Sequence, residues 1–267
     1  MKRLSGLVCA ALVLCLVQGC KSKEAPSGAS TSEATPASAP QAQAAPLDPA
    51  TLGEVSGTIR LKGKPPVPVK IDTSMDPACG MSGSAAFTSE QYVVNDGKLA
   101  NVYVYVKSGP GMIRARITSG KTPSAVLDQK GCRYTPHVIA IEAGDYVEFR
   151  NSDVTMHNIH TMPTVVGNEA IDISQGPKGT PVIKQFPDAE VMLPVRCNNH
   201  PWMNAFINIS ATPFFAVTDA FGQFDLKGLP AGQYVLGAVQ EKLGEQTLTV
   251  TVPAKGTAKG DFTFTMK

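Results

Sequence analysis

The chain has 267 residues, of which 43% are hydrophobic and 17% charged, with 24 Lys and Arg against 22 Asp and Glu. This apolar content is enough for a sizeable core and excludes wholesale disorder. Both excess positive charges, Lys2 and Arg3, lie at the N-terminus, so residues 20–267 carry 22 basic against 22 acidic side chains. Such a balanced chain does not point to nucleic acid as a partner, and long-range electrostatic steering is not expected.

The first twenty residues combine a basic start, an apolar run and a cysteine. A basic start precedes an apolar run of 11 residues, Leu7 to Val17, which is too short to anchor stably across a bilayer. Gly19 and Cys20 follow, and they are similar to the lipobox, at which such proteins are cleaved before a Cys that becomes lipidated. The resemblance implies a signal peptide at 1–19, lipidation of Cys20 and a membrane tether. It also implies a place in the bacterial cell envelope, at the outer membrane facing the periplasm.

Residues 20–50 are predicted to form a disordered linker behind the lipidated Cys. Of the 30 residues from 21 to 50, 21 are Ala, Pro, Ser or Thr, and Leu47 is the only large apolar residue. Such a segment cannot bury enough surface to offset its ordering entropy. Its expected role is to hold the folded unit away from the membrane.

The rest of the chain predicts an all-β fold. Val102, Val104 and Val106 alternate with Tyr103 and Tyr105, which is the period of a strand. Short β-branched runs of this kind recur between Gly and Pro turn signals, and no window of a dozen residues carries a helical stripe, which favours β-sandwich architecture. Ten strands are expected at 55–62, 101–107, 137–142, 146–150, 180–186, 205–210, 214–218, 233–239, 247–252 and 261–265.

The cysteines single out one thiol. Two leave with the signal peptide and Cys20 takes the lipid, so Cys79, Cys132 and Cys197 remain. In an oxidising compartment paired thiols become disulfides, and an odd number leaves one over. Cys79 and Cys132 both lie in turn-like sequences, whereas Cys197 lies among other metal-ligand residues. We therefore expect a Cys79–Cys132 disulfide with Cys197 reserved for chemistry, although sequence alone does not determine the connectivity.

The segment 197–203, Cys-Asn-Asn-His-Pro-Trp-Met, brings thiolate, imidazole and thioether within seven residues. Soft sulfur ligands with imidazole, and a thioether as a weak axial ligand, favour copper in a His₂Cys site, whereas zinc would gain little from Met203. A second His must come from elsewhere, and His157 and His160 are the candidates. Because they are three residues apart, they face opposite sides of an extended strand, and only one can readily point at the metal.

These residues, with Gly-Asp-Tyr-Val-Glu-Phe-Arg-Asn-Ser-Asp at 144–153, resemble a cupredoxin. The Cys-x-x-His-Pro-x-Met loop and the upstream His-Asn-x-His are most similar to amicyanin. The resemblance covers about 124–210 and implies a Greek-key β-sandwich that holds one type 1 copper ion. It implies that the equatorial ligands are His157, Cys197 and His200, and that the axial ligand is Met203.

The resemblance also implies residues that support the ligands. Asn158 would fix the thiolate through its backbone N–H, with His160 beside it, and Pro201 and Trp202, together with Phe206, would give an apolar surface beside the second ligand His. Outer-sphere one-electron transfer to a transient redox partner would pass through that surface. The 36 residues between the two motifs exceed the spacing in the smallest cupredoxins, which predicts an extra loop near the site.

The C-terminal region resembles a second kind of module. Within residues 213–253, Asp219 and Gly222 are expected to form one turn and Pro230 and Gly232 the next, with Phe224 and Tyr234 inside. This pattern is similar to the carboxypeptidase regulatory-like (transthyretin-like) module, which implies a structural β-sandwich without catalytic residues. The segment 57–66 looks like the first strand and turn of such a module. The predicted organisation is therefore a β segment at 51–123, a cupredoxin-like domain at 124–211 and the C-terminal module at 212–267. Either 54–107 and 212–265 form one sandwich with the cupredoxin inserted, or the units lie in tandem.

The leading functional interpretation is a monomeric, lipid-anchored blue-copper electron carrier. A copper-handling module and a metal-free cupredoxin-fold surface binding module are the alternatives. A multicopper enzyme is disfavoured because only His137 and His160 remain for further copper ions, and a binuclear centre lacks a second nearby Cys. No nucleophile–base motif or phosphate-binding glycine loop occurs, so we predict a protein that is not an enzyme.

Overall fold

A computed structural model describes residues 49–81, 87–110 and 123–266. The predicted signal peptide, the lipidated Cys20 and residues 20–48 of the predicted linker lie outside these ranges. The described residues contain a 3₁₀ turn at Pro49–Thr51, one short helix, α1, at Pro77–Met81, and 19 strands, so the all-β prediction is confirmed. No helix in these ranges has the length and apolar character needed to cross a membrane.

The strands divide into three groups along the chain. The first group is β1 (Gly53–Lys62), β2 (Val94–Asn95), β3 (Lys98–Leu99) and β4 (Tyr103–Ser108). The second group is β5 (Ala125–Gln129), β6 (Tyr134–Thr135), β7 (Val138–Glu142), β8 (Tyr146–Asn151), β9 (His157–Thr161), β10 (Asp172–Gln175), β11 (Val182–Gln185), β12 (Glu190–Arg196) and β13 (Asn204–Ser210). The third group is β14 (Phe215–Val217), β15 (Gln223–Leu229), β16 (Gly232–Gln240), β17 (Gly244–Val252), β18 (Thr257–Lys259) and β19 (Phe262–Thr265).

The first and third groups together form one sandwich, which we call the outer sandwich. One of its sheets has the order β15-β1-β3-β2, with β18 and β19 pairing in parallel with β1, and the other has the order β14-β4-β16-β17. Buried side chains from both segments, such as Ile59, Val104, Leu236 and Phe264, share one core. This pairing is the first of the two arrangements expected for 54–107 and 212–265.

Strand β4 shows why the alternating pattern was informative. Val102, Val104 and Val106 all enter the core of the outer sandwich, as their period of two predicts. Tyr103 is also fully buried, on the opposite face, where its ring stacks on that of Tyr105 at 4.9 Å between centroids. The strand is therefore covered on both faces.

The second group forms the central sandwich, which carries the candidate site. Its sheets have the orders β10-β9-β12-β13-β7 and β11-β8-β5-β6. Leu127 and Phe149 from one sheet pack with Ile159, Leu193 and Ile207 from the other in one buried cluster. Such a cluster supplies most of the free energy that holds two sheets face to face.

All ten expected strands are present, with ends shifted by a few residues, and nine further strands were missed. An extra loop near the site and one strand at 180–186 were expected between the two ligand motifs. This stretch contains β10, which pairs with β9, the expected strand β11, which pairs with β8, and β12. Both sheets of the central sandwich are thereby extended at one edge.

Candidate metal centre

The Cys-x-x-His-Pro-x-Met segment forms a closed loop at the end of a hairpin. Strands β12 and β13 pair as far as Arg196 opposite Asn204. Beyond that pair, the N–H of Cys197 donates to the carbonyl of Met203 (3.2 Å), and the N–H of Met203 donates to that of His200 (2.9 Å). These bonds close a tight loop. Cys197, His200 and Met203 are buried in it, although the residues of a turn are ordinarily exposed.

The second ligand motif approaches this loop because β9 runs antiparallel to β12. His160 lies opposite Arg196, so the start of β9 lies beside the residues that follow β12. His157, the first residue of β9, is thereby placed against the loop. His160 points elsewhere and pairs its Nδ1 with Oδ1 of Asn198 (2.9 Å), in agreement with the alternation expected of a strand.

Three ligand atoms converge in the interior. His157 Nδ1 lies 2.9 Å from His200 Nδ1, and Cys197 Sγ lies 3.5 Å from the same His200 nitrogen. The donor atoms of these three residues all lie within 4.8 Å of one another, and the side chains are buried. Met203 is buried in the same hydrophobic cluster as Cys197, at 1% exposure.

The far nitrogens of both imidazoles face carboxylates. His157 Nε2 lies 2.9 Å from Asp153 Oδ2, and His200 Nε2 lies 2.9 Å from Asp76 Oδ2. A neutral imidazole that donates from Nε2 has only a lone pair at Nδ1. Two such lone pairs and a sulfur then point at one another, an arrangement that is unfavourable unless a proton or a cation lies between them. The donor set, one thiolate and two imidazoles, fits copper.

The surroundings favour the charged form of two of these groups. Burial alone would lower the pKa of His157, but hydrogen bonds to Asp153 and Cys197 outweigh it and raise that pKa to about 9. Burial would raise the pKa of Cys197, but hydrogen bonds from His157, from the Asn158 N–H and from His200 lower it to about 7. The site therefore stabilises a thiolate, which is the form that binds a metal.

The sulfur is held from the side of β9, as expected for Asn158. The backbone N–H of Asn158 donates to Cys197 Sγ (3.3 Å), and its side-chain oxygen accepts from the N–H of Asn198 (3.3 Å). Its amide nitrogen donates to Asp172 of β10 (2.8 Å). Tyr134 donates its hydroxyl to the Asn158 carbonyl. These bonds fix the backbone beside the sulfur.

Asp153 is positioned by a compact turn between β8 and β9. Its N–H donates to Oδ1 of Asn151 (3.0 Å), whose amide in turn donates to the carbonyl of Thr155 (2.9 Å). The carboxylate accepts from the N–H groups of Gly131 (2.7 Å) and Cys132 (2.8 Å). Burial would raise the pKa of Asp153, yet these bonds and His157 hold it below its ordinary value. An ionised carboxylate is thus available to orient His157.

A segment between β1 and β2 covers His200 on the side that faces away from Cys197. Asp76 directly precedes α1 and caps it, with its Oδ1 accepting from the N–H of Ala78 (2.8 Å), and its Oδ2 also accepts from the hydroxyl of Thr155 (2.8 Å). Cys79 in α1 is joined to Cys132 by a disulfide, the pairing expected from the sequence, and its Sγ lies 3.8 Å from His200 Nε2. We call residues 70–81 the cap.

The cap changes one sequence-based expectation. We expected Pro201, Trp202 and Phe206 to form an apolar surface beside His200, through which electrons would pass to a partner. Instead His200 is only 2% exposed, and its outer nitrogen is covered by Asp76 and the disulfide.

The three residues of that expected surface take different places. The ring of Trp202 lies 5.1 Å from that of His200 and donates its Nε1–H to the Cys132 carbonyl (2.9 Å). Pro201 is exposed, and Phe206 packs edge-on against His137.

Sequence reasoning missed the two carboxylates. Asp153 lies four residues before His157, and that spacing was the only available signal. Asp76 is separated from His200 by 124 residues, so nothing in the sequence connected them.

No protein-family model matches the chain, and no curated protein matches it. Solved structures that match part of it include a Cu-containing nitrite reductase (NirK) from Thermus scotoductus SA-01, an amicyanin from Paracoccus versutus and a purple cupredoxin from Nitrosopumilus maritimus. The identities are 23%, 20% and 21% over 39%, 40% and 33% of this chain. The matches span 27%, 97% and 100% of those proteins, with TM-scores of 0.30, 0.30 and 0.27. At such scores the likenesses carry no argument about function, which must come from the site itself.

Proposed function

We propose that this protein is a lipid-anchored, extracytoplasmic type 1 copper protein that carries single electrons between redox partners. The observation that carries the proposal is the convergence of His157 Nδ1, His200 Nδ1 and Cys197 Sγ in a buried site whose two imidazoles both face carboxylates at Nε2. The lipid anchor at Cys20, the periplasmic location and the transient redox partner are proposed from the sequence.

The chain's own residues would perform the following work. His157, once its proton is released, and His200 would present Nδ1 to the ion beside the sulfur, and the Asn158 N–H stabilises negative charge on that sulfur. Met203 would supply a thioether as a weak further ligand. When bound, copper supplies the one-electron Cu(II)/Cu(I) couple. Because the ligands are buried and held by hydrogen bonds, they need to move little when the charge of the site changes, which is what electron transfer requires.

Electron transfer requires no substrate pocket beside the ligands, and we propose that the protein is not an enzyme.

Copper handling without electron transfer is the second candidate. One observation favours it: the outer edge of His200 is covered by the cap, so a partner cannot touch that edge directly.

Copper reconstitution of the purified protein tests the proposal. We expect one copper per chain and an intense visible sulfur-to-copper charge-transfer band in the oxidised protein. Cys197→Ser and His157→Ala should abolish the band, whereas His160→Ala, which removes an imidazole from the same strand outside the ligand group, should keep it. Copper bound only as Cu(I), without the band, would support copper handling. A protein that takes up no copper would refute both candidates.

A further inference from the structure

The contacts of Asp76 differ from those of an ordinary helix-capping residue. One carboxylate oxygen caps α1 through the N–H of Ala78. The other accepts from both His200 Nε2 (2.9 Å) and the hydroxyl of Thr155 (2.8 Å). The Asp76 side chain is 20% exposed and that of His200 only 3%. A charged acceptor is thus aimed at the one edge of His200 that faces away from Cys197 and His157.

The cap that carries Asp76 is fixed in place at two other points. The disulfide from Cys79 ties α1 to Cys132, whose own N–H donates to Asp153. The Thr155 hydroxyl ties Asp76 to the turn that precedes His157. The carboxylate facing His200 and the carboxylate facing His157 therefore belong to one connected network. This network lies partly outside the region, 124–210, that resembles a cupredoxin.

We propose that Asp76 is a positioning residue for His200, which it holds in the orientation and tautomer that present Nδ1 to the metal, and that it thereby favours the oxidised form of the site. This inference rests on the proposed function. A carboxylate that accepts from the far nitrogen of a ligating imidazole fixes the ring and makes the ligating nitrogen more basic. A more basic ligand favours the more highly charged metal, so Cu(II) gains more than Cu(I).

Asp76→Asn is the variant that isolates this effect. The amide is nearly isosteric with the carboxylate but has no charge, and its single oxygen cannot accept from both Ala78 and His200. Asp72→Asn is the matched control, because Asp72 lies in the same cap, is exposed and accepts from the N–H of Ser74 (2.9 Å) rather than from a histidine. Both changes remove one negative charge from the same segment.

We expect Asp76→Asn to weaken Cu(II) binding by about ten- to a hundred-fold, with a smaller effect on Cu(I). If Cu(I) affinity is unchanged, each tenfold loss raises the reduction potential by about 59 mV. The visible band should also shift, and Asp76→Glu should restore part of the change. Asp72→Asn should leave affinities, potential and band as in the unsubstituted protein. Equal potentials for the Asp76→Asn and Asp72→Asn proteins would overturn the inference, whereas failure of the unsubstituted protein to bind copper would overturn the proposed function instead.

A measurement on the metal-free, unsubstituted protein keeps the inference testable if Asp76→Asn does not fold. A ring proton held between His200 Nε2 and a carboxylate exchanges slowly with water. Nitrogen-15 NMR of the histidine rings should therefore show a protonated, slowly exchanging Nε2 for His200. A rapidly exchanging Nε2 or the Nδ1-protonated tautomer would show that Asp76 does not position this ring.

Discussion

The pH dependence of the metal-free protein provides a test of the ligand cluster that needs no copper. The pKa of His157 is about 9 in the folded protein against an ordinary 6.5, so its stabilising contribution is complete below pH 6.5 and is lost as the pH rises through 9. The pKa of Cys197 is about 7 against an ordinary 9.0, so its contribution is complete above pH 9 and is lost as the pH falls through 7.

These two contributions cancel in one pH window. Between pH 7 and 9 the folded site holds one proton, on His157, and the unfolded chain also holds one, on Cys197. Equal proton counts give a slope of zero in the free energy of unfolding against pH. In Cys197→Ser the unfolded chain has no such proton, whereas His157 in the folded chain still binds one. The free energy of unfolding should therefore fall as the pH rises, by at most about 1.4 kcal/mol per pH unit. Because Asp153 alone then raises the pKa of His157, we expect a total loss of about 1–3 kcal/mol from pH 6.5 to 9.

Urea denaturation in the presence of a chelator, at half-unit steps from pH 6.5 to 9, measures this difference. The comparison is between the unsubstituted protein and Cys197→Ser, because all other titrating groups are shared and cancel. A flat profile for the first and a falling profile for the second is the expected result. Parallel profiles would show that His157 and Cys197 do not form a charged pair in the folded protein.

Two further predictions concern stability. Phe149→Ala should lower the free energy of unfolding by about 3–5 kcal/mol, because Phe149 is fully buried in the central sandwich. As a control, Ile183→Ala, at a side chain 42% exposed in the neighbouring strand β11, should change it by less than about 1 kcal/mol. Denaturant midpoints compare the two variants, and similar losses would contradict the described core. Replacing both Cys79 and Cys132 by Ala should lower the free energy of unfolding by about 4 kcal/mol, since the disulfide closes a loop with a sequence separation of 53 residues. A loss below about 1 kcal/mol in the same assay would show that this cross-link does not constrain the unfolded chain.

Strands with a clear alternation were predictable, and those without one were not. Strand β4 was found because its valines alternate with tyrosines. Strand β12 was missed because Pro194 lies within it, and a proline argues against a central strand. Strand β9 is not among the ten expected strands, although His157 and His160 were placed on an extended segment, because four of its five residues are polar; three of those polar residues are buried. Burial of polar groups depends on partners elsewhere in the chain, which no local pattern shows.

The convergence of Cys197, His200 and His157 was predictable because residue type and spacing carry the information. Cys197 and His200 lie in one short loop, and His157 lies in a recognisable motif, so their convergence needed only the right sheet. The covering of His200 was not predictable, because it depends on a carboxylate 124 residues away and on the fold of the segment that carries it. The sequence therefore indicated which side chains converge, but not how deeply the site that they form is buried.

The parallel pairing of β1 with β18 and β19 has a consequence for biosynthesis. The outer sandwich cannot be completed until residues near 265 have been made, whereas all strands of the central sandwich are available once residue 210 has emerged. Pairings over such long sequence separations form slowly, and units with more local contacts form first. The cap is synthesised before the residues that it covers, so it can pack over the loop at 197–203 only after that loop has been made and folded.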